Sequence, residues 1–228
     1  VDLPGWRPPR KVHPLQIRDA AARIAHAEKP VLYVGGGTIN GDACDELREE
    51  LDAAYRRVMD SGWLLLGREL EAFESEYAAS VGAAHCVGVA NGLEAMQLVL
   101  MALGIGPGDE VITPAFNNIA DFQAILATGA QPVFCDIDPV TLCIDLEDAA
   151  SLVGPKTKAV IVMDYDCILC DHDAVADFAK KHNLHVIYDA AHCFGVSYKG
   201  ESVFSFGDVS TCSFHATKVF HTGEGGMI

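Results

Sequence analysis

Val186-Ile187-Tyr188-Asp189-Ala190-Ala191-His192 is an apolar run that ends on a carboxylate. A short, continuously apolar run fits a strand covered on both faces, as in a parallel sheet, rather than one with a wet face. A strand over 185–188 puts Asp189 at the carboxyl edge of such a sheet. The same pattern repeats outward. Upstream lie strands at 159–163, 131–136 and 110–113, the last stopped by Pro114, with helices at 173–182, 146–152 and 119–128 between them. Before these come helices at about 42–60 and 69–81, a short strand at 86–89, and a helix opened by Asn91-Gly92 that runs through Leu103. Downstream, 209–214 is one more strand. Strands that alternate with helices indicate an α/β domain, a mainly parallel sheet with helices on both faces. Ligands of such sheets sit beyond the carboxyl ends of the strands.

Composition narrows the class. The 228 residues are half apolar and 21% charged, with a formal net charge of -16. Such an acidic chain repels nucleic acid and anionic membranes, so neither is an expected partner. The eight cysteines fall largely inside apolar runs, such as Val133-Phe134-Cys135, and read as reduced, buried thiols of a cytoplasmic protein. No basic-then-apolar leader opens the sequence, and no apolar run is long enough to span a bilayer.

Four features fall at strand ends or helix starts. Val89-Ala90-Asn91-Gly92-Leu93-Glu94-Ala95 turns into a helix whose first free amides suit phosphate, although an ordinary capped helix looks the same. Asp189 could pair with a buried cation such as a protonated pyridine nitrogen, or simply cap a turn; His192 is a hydrogen-bond partner or a core histidine. Ser213-Phe214-His215-Ala216-Thr217-Lys218 presents a lysine in a tight segment, where burial would lower its pKa and favour Schiff-base chemistry, and Gly223-Glu224-Gly225-Gly226 follows it. Taken in order, a phosphate cradle, an aspartate and a lysine are what pyridoxal phosphate (PLP) requires, the aspartate keeping the ring nitrogen protonated so that the ring can take up electrons. A separate reading concerns Cys167-Ile168-Leu169-Cys170-Asp171-His172, whose thiols and imidazole could hold zinc but lack a second Cys or His pair, so no metal is expected.

Asp60-Ser61-Gly62-Trp63, Leu66-Gly67, Phe73-Glu74, Val89-Ala90-Asn91-Gly92, 106–114, Pro132-Val133-Phe134-Cys135-Asp136, Tyr188-Asp189-Ala190-Ala191-His192 and 213–220 together resemble the DegT/DnrJ/EryC1/StrS family of sugar aminotransferases, over about 46–228. The resemblance implies a fold-type-I PLP-transferase large domain that works as a homodimer. It implies Lys218 as the Schiff-base lysine and proton shuttle, Asp189 as the pyridinium partner, and His192 near the ring hydroxyl. Ser213 and the amides of Gly92 and Leu93 would bind phosphate. The reaction implied is amino transfer, commonly from glutamate, to a keto carbon of a nucleotide-linked deoxysugar. The sequence departs from the family pattern at Leu93, where Thr or Ser is usual, and at Asn118, where an aromatic usually stacks on the PLP ring. Val162-Met163-Asp164-Tyr165-Asp166 stands for Val-His-x-Tyr-Gly, and the resemblance implies another large-domain strand and a small domain beyond Ile228. Residues 1–45, with Lys29-Pro30-Val31-Leu32-Tyr33-Val34-Gly35-Gly36-Gly37, resemble instead the start of the acetolactate synthase middle domain, from which no activity is carried over. The alternative to a working aminotransferase is a non-catalytic hybrid that binds PLP weakly or not at all.

Overall fold

Alternation inside the apolar runs builds two cores at once. The computed structural model describes residues 44–228; the features expected within the first 43 residues lie outside the described residues. The chain divides into two units, Val1–Tyr55 and Arg56–Ile228. Helix α1 (Cys44–Ser61) crosses that division. The second unit then runs α2 (Arg68–Val81), β1 (Gly88–Val89), α3 (Gly92–Ala102), β2 (Glu110–Pro114), α4 (Ile119–Ala127), β3 (Gln131–Cys135), α5 (Leu146–Leu152), β4 (Thr157–Met163), a 3-10 turn (Tyr165–Cys167), α6 (His172–His182), β5 (His185–Asp189), a small hairpin of β6 (Ser197–Tyr198) and β7 (Glu201–Ser202), β8 (Val209–Ser213) and β9 (Gly226–Met227).

Seven strands form one sheet in the order β1-β9-β8-β5-β4-β2-β3. The neighbours from β8 through β3 pair in parallel, whereas β9 is antiparallel to both β1 and β8. Successive residues of a strand point to opposite faces. On one face Ile112, Val160, Val162, Val186 and Tyr188 pack with Ala149 of α5 and Val175, Phe178 and Ala179 of α6. On the other, Val111, Ala159, Ile161 and Ile187 pack with Met96, Val99 and Leu100 of α3 and Ala124 and Ile125 of α4. The strands look uniformly apolar because both their faces are covered, as the sequence indicated.

Two elements differ from expectation. The glycine-rich tail after the lysine is not only loop. Gly226 and Met227 pair with Ser213 and Cys212 on one side and with Val89 and Gly88 on the other. The tail thus adds a strand of its own to the sheet, and Met227 is buried. The hairpin of β6 and β7 was not read from the sequence. Each strand has only two residues, too few for alternation to register, and its turn, Lys199 (φ 50) and Gly200 (φ 90), is of the left-handed kind that matches hairpin twist.

Candidate active site

Strands β1, β2, β4, β5 and β8 all point one way, so the residues that follow them gather at one edge of the sheet. At the start of α3, Asn91 Oδ1 accepts the Glu94 N–H at 2.8 Å and Glu94 Oε2 accepts the Ala90 N–H at 3.0 Å. Cap and counter-cap hold the helix start open, and the amides of Gly92 and Leu93, the first of the helix, have no carbonyl within it to bond. Ser213, at the end of β8, presses on this opening. A Cβ on Gly92 would lie 3.1 Å from Ser213 Cβ. From the other side comes Gly226, where a Cβ would meet the Asn91 carbonyl group at 2.7 Å and the Gly92 nitrogen at 3.0 Å. Neither position has room for a side chain. Gly226→Ala is expected to push β9 off the helix start and destabilise the fold by roughly 1–3 kcal/mol, as overpacking against unyielding backbone does; a thermal melt reads the loss.

Lys218 lies half-buried in the loop from β8 to β9. Its own N–H donates to His215 O at 2.9 Å, and the loop is clasped by Phe214 N–H to Gly225 O (2.8 Å) and Thr222 N–H to Phe214 O (3.1 Å). Buried Phe214 anchors it, with ring centroids 5.3 Å from Phe220, 5.4 Å from Tyr77 and 5.8 Å from Phe73. The lysine is thus carried on a segment fixed at both ends.

Asp189 is buried at the end of β5, its Oδ1 accepting the Ala191 N–H at 3.0 Å. Burial raises its pKa, while the Ala191 hydrogen bond and then the Lys218 charge work the other way. A second carboxyl shares this region and was not singled out from the sequence. Asp121, in the first turn of α4, is 2% exposed and receives the Asn117 side-chain N–H at 2.7 Å; the same amide nitrogen reaches Thr113 Oγ1 at 3.0 Å. Burial, and then the charge of Asp189, hold Asp121 well above the ordinary carboxylate range, with only Asn117 opposing. The signal for it was the spacing Asn117-x-x-x-Asp121 across a helix start. A carboxyl whose folded pKa is raised binds its proton more tightly when folded, so its contribution favours the fold in acid and is lost as pH rises above the unfolded value. Asp121→Asn is therefore expected to raise the melting temperature near neutral pH, with the gain vanishing as pH falls toward the ordinary carboxylate range, about pH 4. Melts across that range check the sign.

His192 meets the turn after β4. Its Nδ1 is 3.1 Å from the Asp166 nitrogen, and its ring lies 5.5 Å from that of Tyr165, which lies 5.0 Å from that of Phe116. Burial, then the Lys218 charge, lower the pKa of the imidazole, and the Asp166 carboxylate opposes them. Asp166 replaces the glycine of the resembled pattern and takes φ 49, a conformation that glycine adopts freely and other residues seldom do. Asn118 is exposed and spends its Oδ1 on the Ala120 N–H at 2.9 Å, capping α4; the aromatic at this end of β2 is Phe116, two residues earlier.

The cysteine-histidine stretch has other work. The Cys167 thiol donates to His192 O, the Cys170 thiol to Met163 O, and His172 Nε2 meets Asp164 Oδ2 at 3.0 Å. Asp164 and His172 are each 1% exposed, with His172 between the rings of Tyr188 and Tyr198. This buried pair ties β4 to α6 and was also missed in the sequence. Among the described residues no group of three or more His, Cys, Asp or Glu could hold a metal ion.

Residues 45–228 match the DegT/DnrJ/EryC1/StrS aminotransferase family. A GDP-perosamine synthase of Caulobacter vibrioides is 42% identical over 203 residues, 89% of this chain and 53% of that protein. The spore coat polysaccharide biosynthesis protein SpsC of Bacillus subtilis is 46% identical over 171 residues, 75% of this chain and 44% of that protein. Among solved structures, DesV of S. venezuelae, in complex with a ketimine intermediate, superposes with a TM-score of 0.77 at 41% identity, covering 82% of this chain and 51% of that one. The chain spans about half the length of the relatives it matches.

Proposed function

The chain belongs to the DegT/DnrJ/EryC1/StrS aminotransferase family, and on that premise we propose that it is the cofactor-holding part of a PLP-dependent enzyme that moves an amino group, from glutamate, to a keto carbon of a nucleotide-linked deoxysugar. One observation carries the reading: the open start of α3 with Ser213 against Gly92, the buried Asp189 and Lys218 belong to the same sheet edge, and the Lys218 charge acts on Asp189. These residues suit PLP. The Ser213 hydroxyl and the amides of Gly92 and Leu93 would hold its phosphate, Asp189 its ring nitrogen, His192 its ring oxygen and Lys218 its aldehyde, with Asn118 and Phe116 at the rim. When bound, PLP supplies an electron sink that acidifies the carbon bearing the amino group.

Each residue has a definable task. Asp189 keeps a proton on the bound ring by supplying a negative charge where water is excluded. Lys218, held by the clasped loop, covalently retains the cofactor and then moves a proton. GDP-perosamine synthase, UDP-2-acetamido-2-deoxy-3-oxo-D-glucuronate aminotransferase and a dTDP-amino-sugar transaminase are among the relatives, and they support a nucleotide sugar as acceptor. We assign 46–228 to the aminotransferase large domain and keep 1–45 as a separate lead-in. No helix among the described residues is long and apolar enough to cross a membrane, and we place the enzyme in the cytoplasm.

The test is a half-reaction. Glutamate added to the PLP-loaded chain should shift the cofactor's visible band and release 2-oxoglutarate, and a nucleotide keto-sugar should restore the band. A band indifferent to every amino acid would exclude the transfer. Ser213→Ala is expected to weaken PLP binding roughly tenfold to a hundredfold, the value of one hydrogen bond to a charged group; an absorbance titration measures it.

A homodimer is part of the proposal. Trp63, Leu64, Leu65 and Leu66 are 55–82% exposed in succession, more contiguous apolar surface than a lone subunit usually shows. Leu65→Asp with Leu66→Asp should shift the chain toward monomer in sedimentation; an unchanged dimer would place the interface elsewhere.

A further inference from the structure

His192 stands where the chain after β5 meets the turn after β4. Its Nδ1 lies 3.1 Å from the Asp166 backbone nitrogen. A backbone N–H can only donate, so Nδ1 must present its lone pair, and the single proton of the neutral ring then sits on Nε2. Other contacts fix the same arrangement. The Tyr165 ring meets the imidazole at 5.5 Å, at an interplanar angle of 76°. The Cys167 thiol donates to the His192 carbonyl at 3.1 Å, tying the backbone of the turn to that of the histidine. The Asp166 carboxylate approaches Nδ1 only to 3.6 Å and is largely solvated, so the main chain, not the charge, makes the close contact. The turn is strained to deliver that N–H: Asp166 and Cys167 both have left-handed backbones, φ 49 and 63. Two such residues in succession persist only where their surroundings over-determine them.

We infer that Asp166 is a positioning residue whose main-chain N–H locks His192 in the Nε2–H tautomer, so that this edge of the sheet offers a neutral imidazole N–H to an anionic oxygen. The acceptor's identity as the cofactor's ring oxygen rests on the PLP reading; the tautomer does not. The charged groups acting on the ring are Lys218, which together with burial favours the neutral form, and the Asp166 carboxylate, which favours the cation and is outweighed. A neutral donor is the useful state here. An imidazolium would add a second positive charge beside that of Lys218, and an Nδ1–H ring would have no proton on Nε2 to give.

The test is nitrogen NMR of the full chain with labelled histidines, the His192 signals assigned by their loss in His192→Gln. In wild type without PLP, near neutral pH, Nε2 should appear protonated and Nδ1 as a lone-pair nitrogen. Asp166→Gly and Asp166→Asn keep the N–H and should keep that pattern, and the ring should gain its proton at lower pH in both than in wild type because a nearby negative charge is gone. Asp166→Pro removes the N–H and cannot adopt a positive φ, and it should release the ring to a mixture of tautomers. Should the proline variant not fold, wild type with the Gly and Asn variants still decides. Added PLP should move the Nε2–H signal without changing the tautomer. An Nδ1–H ring or an imidazolium in the PLP-free wild type at neutral pH overturns the proposal. If borohydride fixes PLP on Lys218 while the Nε2–H signal stays put, the donor role is overturned and the PLP reading stands. If PLP never attaches, the PLP reading and the donor role fail together, and only the tautomer lock survives.

Discussion

Lys218→Ala should leave a chain that folds and no longer retains PLP covalently. The side chain's part in the fold is small: it is half-buried, and the hydrogen bond that orders this turn comes from the residue's main-chain N–H to His215 O, which alanine keeps. The loop stays anchored by Phe214 and Phe220. Stability is thus expected within about 0.5 kcal/mol of wild type, as for substitutions that remove no core contact. The chemical loss is large. Positioned proton transfer alone is worth roughly 10²–10⁴-fold, and the covalent hold is lost as well. Removing this cation has a second consequence. Lys218 pulls the Asp189 pKa down, so in the alanine variant Asp189 should take its proton at higher pH. A carboxyl-resolved titration would see that change, and it separates the loss of a nearby charge from mere disorder of the loop.

Asp189→Asn should cost nearly as much for a different reason. The amide keeps the shape, and its oxygen can still accept the Ala191 N–H, so the unliganded chain should melt at or above the wild-type temperature, because burial disfavours the wild-type charge. What is lost is the partner of a buried cation. Leaving such a charge unpaired costs roughly 3–5 kcal/mol, about two to four orders of magnitude in any step that needs the protonated ring. The ring nitrogen would give up its proton instead, and the half-reaction with glutamate would slow by that factor while phosphate anchoring by Ser213 and the α3 amides persisted. Normal rates in Asp189→Asn would show that the carboxylate only caps its turn. Asp121 is no substitute, because its carboxyl is already engaged by the neutral Asn117 amide and burial, the largest cause, raises its pKa and disfavours its charge.

The parts of this site that were legible in the sequence are those with a one-dimensional signature. Uninterrupted apolar runs announced β2, β4 and β5, and the residue after such a run is at a sheet edge wherever the sheet packs; Asp189 needed no more than that. Asn91-Gly92 announced a helix start, and the Asn91–Glu94 cap became visible only in the structure. Lys218 and Ser213 came from their motif. The rest depends on contacts between segments. Gly226 became informative only when its strand was seen inserted beside Asn91 and Gly92. The His172–Asp164 pair joins two residues that look like loop chemistry, yet both are buried, His172 among aromatic rings. Asp121 reads as an ordinary first-turn acid until Asp189 is placed near it. The departure at Asn118 likewise changed meaning: its side chain caps α4, and aromatic surface at this edge comes from Phe116 and Tyr165 instead.

The central claim is that this sheet edge holds PLP through Lys218, and wild-type protein tests it most directly. PLP is titrated into the chain, the product is reduced with borohydride, and the modified peptide is identified by mass. The account predicts a saturable visible band and a single pyridoxyl group on the peptide containing Lys218. No band, or label spread over exposed lysines such as Lys180, Lys181 and Lys199 with Lys218 unmodified, would contradict it.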